Sequence, residues 1–385
     1  MYPDLSYFFH ALLGTPVDNW TSVFKTFGFF LVLAILSAAV LLYRELKRKA
    51  DEGLLSPTPV QIGTGKGASL WDLFSNAIFG FLLGFKVVAI ATNFSSFQAD
   101  PSGFLLSGEG NVGVGILLAA LLVGIKYWDG LKKSKAGKGV QTVQVYPHDR
   151  IGDITMIAAI SGVLGAKIFA LIEDLPAFFE DPIGTFISGS GLAIYGGLIV
   201  GFFSVAYYLR LKKIPIIHVV DAVAPALIIA YGVGRLGCHF SGDGDWGITA
   251  AAQPGWWFLP DWLWSFDYPQ NVLNEGVPIE GCTGNYCNRL YPGVYPTPLY
   301  EAIMAFVIGG ILWGIRKRMA IPGMLFAIYL MFNGVERFFI EKIRVNDDYQ
   351  VLGATLTQAE IIAIALFLIG AVTSYLLWNK HRKKR

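Results

Sequence analysis

The sequence predicts an all-α polytopic integral membrane protein of about nine transmembrane helices, N-terminus out and C-terminus in, with an extracytoplasmic loop domain. Composition is the first reason. Of 385 residues 54% are hydrophobic and 15% charged, and mean hydropathy is +0.52, which no ordinary soluble domain needs. The second is length: nine apolar stretches, at about 22–43, 71–93, 112–128, 152–172, 186–209, 215–237, 296–315, 320–340 and 359–378, are long enough to span. The third is loop charge, which alternates along the chain as the positive-inside rule requires.

The elements follow in order. The first eighteen residues are amphipathic and aromatic without a basic start, so they do not read as a cleavable leader. The first stretch ends in Arg44-Glu45-Leu46-Lys47-Arg48-Lys49, and a glycine-rich segment, 62–68, reads as a flexible cytoplasmic connection. Lys132, Lys133, Lys135 and Lys138 follow the third stretch, which is the shortest. Arg210, Lys212 and Lys213 follow the fifth, Arg316-Lys317-Arg318 the seventh, and Lys380 to Arg385 the ninth. The alternate loops 94–111 and 173–185 carry no Lys or Arg, and the long loop 241–295 carries only Arg289. That loop is too long for a plain connection and reads as a small fold of its own. Its Trp246, Trp256, Trp257, Trp262 and Trp264 favour the headgroup level. It also holds Cys282 and Cys287, a disulfide candidate if the loop is outside the cytoplasm. A net charge of +2 argues against a nucleic-acid partner.

Four polar or glycine-rich motifs interrupt the apolar stretches. Ionisable groups at membrane depth cost about 2.5–3.5 kcal/mol each on insertion scales, so they point to function. Gly234-Arg235-Leu236-Gly237-Cys238-His239-Phe240-Ser241-Gly242-Asp243-Gly244-Asp245-Trp246-Gly247 closes the sixth stretch. An arginine there grips an anion, and in a bilayer the abundant anion is a phospholipid phosphate; the plainer reading is a staple between Arg235 and Asp243 or Asp245. Tyr195-Gly196-Gly197-Leu198-Ile199 allows close backbone approach to a lipid or to another helix. Tyr295-Pro296-Thr297-Pro298-Leu299-Tyr300-Glu301 sets a rigid helix start with a carboxylate in its first turn. In Arg337-Phe338-Phe339-Ile340-Glu341-Lys342-Ile343-Arg344, Arg337 and Glu341 share a helix face, with Arg344 three residues on, either as a functional set or as a surface ladder. His218 and Asp221 read as a packed polar pair. The histidines and cysteines have no metal-ligand spacing.

These motifs in this order resemble the prolipoprotein diacylglyceryl transferases over about 150–375, with the first stretch included. Ser161-Gly162-Val163-Leu164-Gly165-Ala166-Lys167 is similar to that family's Gly-Ala-Arg helix, with lysine for arginine. The chain departs from the family pattern in places. Tyr195 stands for the usual histidine and Val200 for a glycine; Cys238 and Ser241 stand for asparagines and Asp243 for glutamate. Tyr-Pro-Thr-Pro replaces His-Pro-[Ser/Thr]-Gln, and Phe27-Gly28 replaces Tyr-Gly. The family has seven spans, so the second and third stretches look like an insertion. The implied organisation is 1–150 with the first span and that insertion, 151–240 with the Tyr195 and Arg235 motifs, 241–295 as the outer head, and 296–385 with the last spans and basic tail.

The resemblance implies an enzyme of the bacterial inner (cytoplasmic) membrane. It would move the diacylglyceryl group from phosphatidylglycerol to the lipobox cysteine of a prolipoprotein signal peptide, without cofactor or metal. It implies Arg235 as phosphate clamp and Arg337 as a second clamp oriented by Glu341. Tyr195 would donate a hydrogen bond to the lipid, and Asp243 would act as base or as the partner holding Arg235. Gly196, Gly197, Gly237, Gly247, Tyr300, Glu301 and Arg344 complete the implied substrate-binding set. The alternative is a non-catalytic lipid-binding or transport protein of the same fold. A solute transporter would need inverted repeats, which the sequence lacks.

Overall fold

The computed structural model describes residues 1–64, 68–99, 101–135, 139–187, 193–345, 348–351 and 354–383. Expectations for Lys138, for 65–67 of the linker, for Asp100, for 188–192 of the fifth stretch and for Lys384 and Arg385 lie outside the described residues. A short α1 (Leu5–Leu13) precedes nine long helices: α2 (Thr26–Asp51), α3 (Leu70–Thr92), α4 (Val112–Lys135), α5 (Ile151–Glu173), α6 (Ile194–Leu211), α7 (Ile216–Ser241), α8 (Thr297–Ile315), α9 (Met324–Glu341) and α10 (Gln358–Arg382). Each falls on one of the nine apolar stretches, and the chain is an all-α polytopic membrane protein. Among the described residues seven helices are long and apolar enough to cross a membrane by length and composition. Among the described residues the apolar part of α6 is shorter, Gly196–Leu211, and α9 carries three ionisable side chains, Glu336, Arg337 and Glu341.

The chain divides into two compact units. The first comprises Met1–Leu55, Pro147–Thr155 and Leu209–Arg385. Its centre is α7, which packs against α2, α8 and α9. The buried cluster of Ile228, Ala305, Ile308, Leu312 and Leu325 joins α7, α8 and α9, because these side chains recur at helical spacing on facing surfaces. α7 starts after Pro215 and stops where Gly242 takes a left-handed conformation (φ 66°), which lacks a Cβ penalty. α10 opens on a reciprocal capping box, Thr357 with Glu360.

Between α7 and α8 lies the head. Tyr268 is fully buried at its centre with Leu290 and Val294, and Trp246 and Phe266 pack their rings on Tyr268 at 5.2 and 4.9 Å. The head is fixed to α7 by His239, whose Nδ1 lies 3.1 Å from the Tyr268 hydroxyl. Cys282 and Cys287 are disulfide-bonded, with Cα atoms 5.6 Å apart. The tight loop they close accepts the N-terminal segment: Asn285 N donates to Asp18 Oδ2 (2.8 Å) and Tyr286 N to the Tyr7 hydroxyl (3.1 Å).

The second unit comprises Ser56–Tyr146 and Met156–Tyr208. Helices α3 and α4 pack as a hairpin. β1 (Thr58–Thr64) and β2 (Gly139–Val145) form an antiparallel ribbon below it, pairing Thr58 with Val145 and Thr64 with Gly139. This corrects the expectation of a flexible linker at 62–68: Ile62, Gly63 and Thr64 are strand. The backbone pairing runs in unbroken register from Thr58–Val145 to Thr64–Gly139, and Val60 opposite Val143 is a β-branched pair that favours strand.

Candidate active site

At the head-side ends of α7, α8 and α9, three arginines face three carboxylates. The last turns of α7 deliver Arg235, whose side chain is 10% exposed. Its guanidinium pairs with Asp245 and with Glu301, and its Nε donates to the Tyr231 hydroxyl one turn back (3.2 Å). Glu301 begins the second turn of α8, one residue past the first turn its motif predicts because the helix already starts at Thr297; it is fully buried and touches all three arginines. Arg337 lies 3.2 Å from Glu301 Oε1 and 2.9 Å from Glu341 Oε2, as the i,i+4 spacing on α9 requires. Arg344, just past α9, lies 2.9 Å from Asp245 Oδ1.

The turn that brings Asp245 back to Arg235 depends on its neighbours. Thr297 Oγ1 donates to the Asp245 carbonyl at 2.7 Å, and Gly247 N donates to Tyr295 O at 2.9 Å. A Cβ at Gly247 would lie 2.4 Å from Ile343 O, so only glycine fits between the head and the end of α9. Tyr300 donates its hydroxyl to Leu263 O and so ties the head to α8 beside Glu301.

The formal charges of the three arginines and three carboxylates cancel, yet hydrogen bonding is incomplete. Arg344 Nε and Nη1 are buried without a hydrogen-bond partner; the 3.6 Å from Nη1 to Glu301 is beyond hydrogen-bond range. Buried unsatisfied donors are rare and costly, which marks a place where a ligand oxygen belongs. Glu336 is 3% exposed and neither of its oxygens has a hydrogen-bond partner.

The two aspartates of the turn have different roles. Asp245 is the ion partner of Arg235, which settles the alternative left open between it and Asp243. Burial alone would raise Asp245, but Arg235 and Arg344 hold it below the usual carboxylate range. Asp243 has no such partner; burial, and then the Asp245 charge, push it up. Cys238, Asp243 and Asp245 bring ligand atoms within 4.8 Å of one another. Asp245 already answers two guanidinium groups there, so the place opposes a cation.

The remaining sequence-predicted residues are placed as follows. Gly237 lies where a Cβ would sit 2.7 Å from Phe30 Cβ, at the α7–α2 crossing. Tyr195, Gly196 and Gly197 belong to the second unit, in the first turn of α6. A Cβ at Gly196 would meet Gly165 O at 2.6 Å and one at Gly197 would meet Gly162 O at 2.9 Å, so this pair lets α6 cross α5 closely. Asp221 accepts from Gly323 N (2.7 Å) and Phe326 N (3.0 Å), capping α9, and faces Lys49 at 3.9 Å. Sequence reasoning missed Glu336 and left the choice between the two aspartates open. The Gly242 and Gly244 that bracket Asp243 signalled a turn, but not which carboxylate it folds inward.

Comparison with known proteins identifies the family to which this chain is similar. The sequence model of the family described as prolipoprotein diacylglyceryl transferase matches residues 111–376. A phosphatidylglycerol–prolipoprotein diacylglyceryl transferase of Corynebacterium glutamicum is 30% identical over 236 residues, covering 60% of this chain and 70% of the relative. A protein of Clostridium perfringens, phosphatidylglycerol–prolipoprotein diacylglyceryl transferase 2, is 28% identical over 274 residues, covering 71% and 90%. A phosphatidylglycerol–prolipoprotein diacylglyceryl transferase of Clostridium novyi is 28% identical over 274 residues, covering 71% and 94%.

Proposed function

Because the chain belongs to the prolipoprotein diacylglyceryl transferase family, we propose that it transfers the diacylglyceryl group of phosphatidylglycerol to the lipobox cysteine of prolipoproteins. The observation that carries this reading is the buried arginine set with unsatisfied Arg344 donors, at the ends of apolar helices where a lipid phosphate would stand. Nε and Nη1 point to different sides of the Arg344 guanidinium, so separate oxygens of a bound phosphodiester lipid would satisfy them, while Nη2 keeps Asp245.

The chemistry is a displacement at carbon. A cysteine thiol of ordinary pKa, about 8.5, must lose its proton to become a nucleophile. The thiolate attacks the glycerol carbon that carries the phosphate ester. The C–O bond breaks, the C–S thioether forms, and glycerol phosphate leaves on Arg235 and Arg344, with Arg337 as the second clamp held by Glu341 and Glu301. Asp243 takes the thiol proton: a carboxylate raised by burial is a better base near neutrality than a tyrosine at about 10. Direct transfer needs no enzyme thiol, so Cys238 does not act as nucleophile.

The head and the N-terminal segment lie on the outer side of the bacterial inner membrane, and the basic loops inside, across nine spans. The Asp18–Asn285 and Tyr7–Tyr286 hydrogen bonds support a common side for the N-terminus and head, and the disulfide suits an oxidising compartment. The test is transfer of labelled diacylglyceryl from phosphatidylglycerol to a lipobox peptide by the purified chain. Lipid binding without transfer would favour the non-catalytic alternative.

A further inference from the structure

One loop of the head has two chemically different faces. Its inward face is fixed: Trp257 and Trp264 meet edge-to-face at 5.0 Å, Trp264 packs on Tyr295 at 5.5 Å, and Trp264 Nε1 donates to Ala251 O at 2.8 Å. Its outward face carries Trp256, Phe258, Leu259 and Trp262, which are 70, 87, 42 and 49% exposed. Between Ser241 and Asn288 the head has no Lys or Arg. So large an exposed apolar cluster on a rigid support needs an apolar or interfacial partner.

The placement of the loop says which partner. Tyr300 holds the loop by its bond to Leu263 O. On α8, Tyr300, Ile303 and Val307 follow at i, i+3 and i+7, one helix face. Ile303 and Val307 are 47 and 58% exposed, as side chains facing lipid are. The exposed loop therefore sits at the head-side end of a lipid-facing stripe, at the level where the apolar span stops. Tryptophan is favoured at that boundary because one edge of its ring is apolar and its N–H can be hydrated.

We infer that residues 256–262 are an interfacial anchor: Trp256, Phe258, Leu259 and Trp262 enter the headgroup and glycerol layer of the leaflet beside α8. The anchor holds Tyr300, and with it Glu301, at a fixed depth. Its bearing on turnover rests on the proposed lipid substrate; the insertion itself rests only on the membrane reading.

The experiment places a nitroxide at Phe258→Cys in the full chain, reconstituted in vesicles of phosphatidylethanolamine and phosphatidylglycerol. Cys238 is buried and the other two cysteines are bonded, so labelling is selective. Collision with oxygen should rise, and collision with a water-soluble nickel chelate should fall, relative to a label at Tyr291→Cys on the same head, where the native side chain is 80% exposed. Tyr300→Phe should return part of the nickel accessibility at 258. Equal nickel accessibility at 258 and 291 overturns the anchor. So does protection at 258 that appears only with added lipobox peptide, which would make the loop a peptide surface. A label at Val307→Cys serves as control: if it too is open to nickel, it is the membrane reading of α8 that fails.

Discussion

The helices of the first unit carry ion clusters at both ends, and the two are built differently. At the end away from the head, Glu45 of α2 accepts from Arg48 and, at 2.9 Å, from Arg316 Nε. Arg48 also reaches Glu52 at 2.6 Å, and the Arg316 guanidinium lies 3.6 Å from the Trp313 ring centroid. Among the described residues, no buried side-chain nitrogen or oxygen of Glu45, Arg48, Arg316 or Asp221 lacks a hydrogen bond. The head-side cluster uses the same residue types and leaves Arg344 and Glu336 atoms unsatisfied. A saturated network holds helices together; an unsaturated one of the same composition has room in its bonding for a ligand.

Substitutions can break this contrast, and the largest effect is expected at Arg235. Arg235→Lys keeps the charge but not the planar fork and should lower the transfer rate about 10²–10³-fold, the cost of one lost transition-state donor, with normal membrane insertion. Near-normal turnover would sink the clamp. Glu45→Ala, at the other end, should do the reverse: it leaves Arg316 and Arg48 short of a buried partner at a cost of about 3–5 kcal/mol. Thermal or detergent unfolding should show the loss, while the rate per folded molecule stays unchanged.

Arg337 and Glu341 should act as a unit. Removing Glu341 should impair transfer nearly as much as removing Arg337, and the double change should add little. Because Glu301 also holds Arg337 at 3.2 Å, a residual effect of Arg337→Ala in the Glu341→Ala background should vanish when Glu301 is changed too. Losses that multiply cleanly in a double-mutant cycle on initial rates would mean independent residues.

The two aspartates give opposite pH signatures. Asp245 is depressed, so its pairing stabilises the protein above the ordinary aspartate range and is lost only as pH falls below about 3.9. Asp243 is raised, so ionising it costs stability as pH climbs above that value, and as a base it works only once ionised. The acid limb of the pH–rate profile should therefore lie above the ordinary aspartate range and disappear in Asp243→Asn. A limb unmoved by that change assigns the proton to another group. The smallest effect is expected for Cys238→Ser, which should keep most of the rate; a diacylglyceryl adduct on Cys238 would refute direct transfer.

Seven of the long helices among the described residues were legible in the sequence because apolar length reports them directly. So was the Arg337–Glu341 pair, since both lie on one helix. The hub role of Glu301 was not, because it unites α7, α8 and the residue after α9 through contacts far apart in sequence. Asp245 was hidden for a subtler reason: it and Asp243 are chemically equivalent, and only the turn held by Thr297 and Gly247 decides which reaches Arg235. The ribbon at 58–64 was masked by its glycines, which read locally as a linker while the partner strand lay beyond two helices.

That ribbon also fixes how the chain could be cut. Thr58 and Val145 are paired neighbours, so the polypeptide leaves and returns at one spot, and everything between them is threaded as a cassette. Excising 58–145 and splicing the two ends with a few small residues would ask almost nothing of the backbone on either side. A shortened protein of this kind that still enters the membrane and still transfers lipid would recast α3 and α4 as an accessory graft on a smaller ancestral machine.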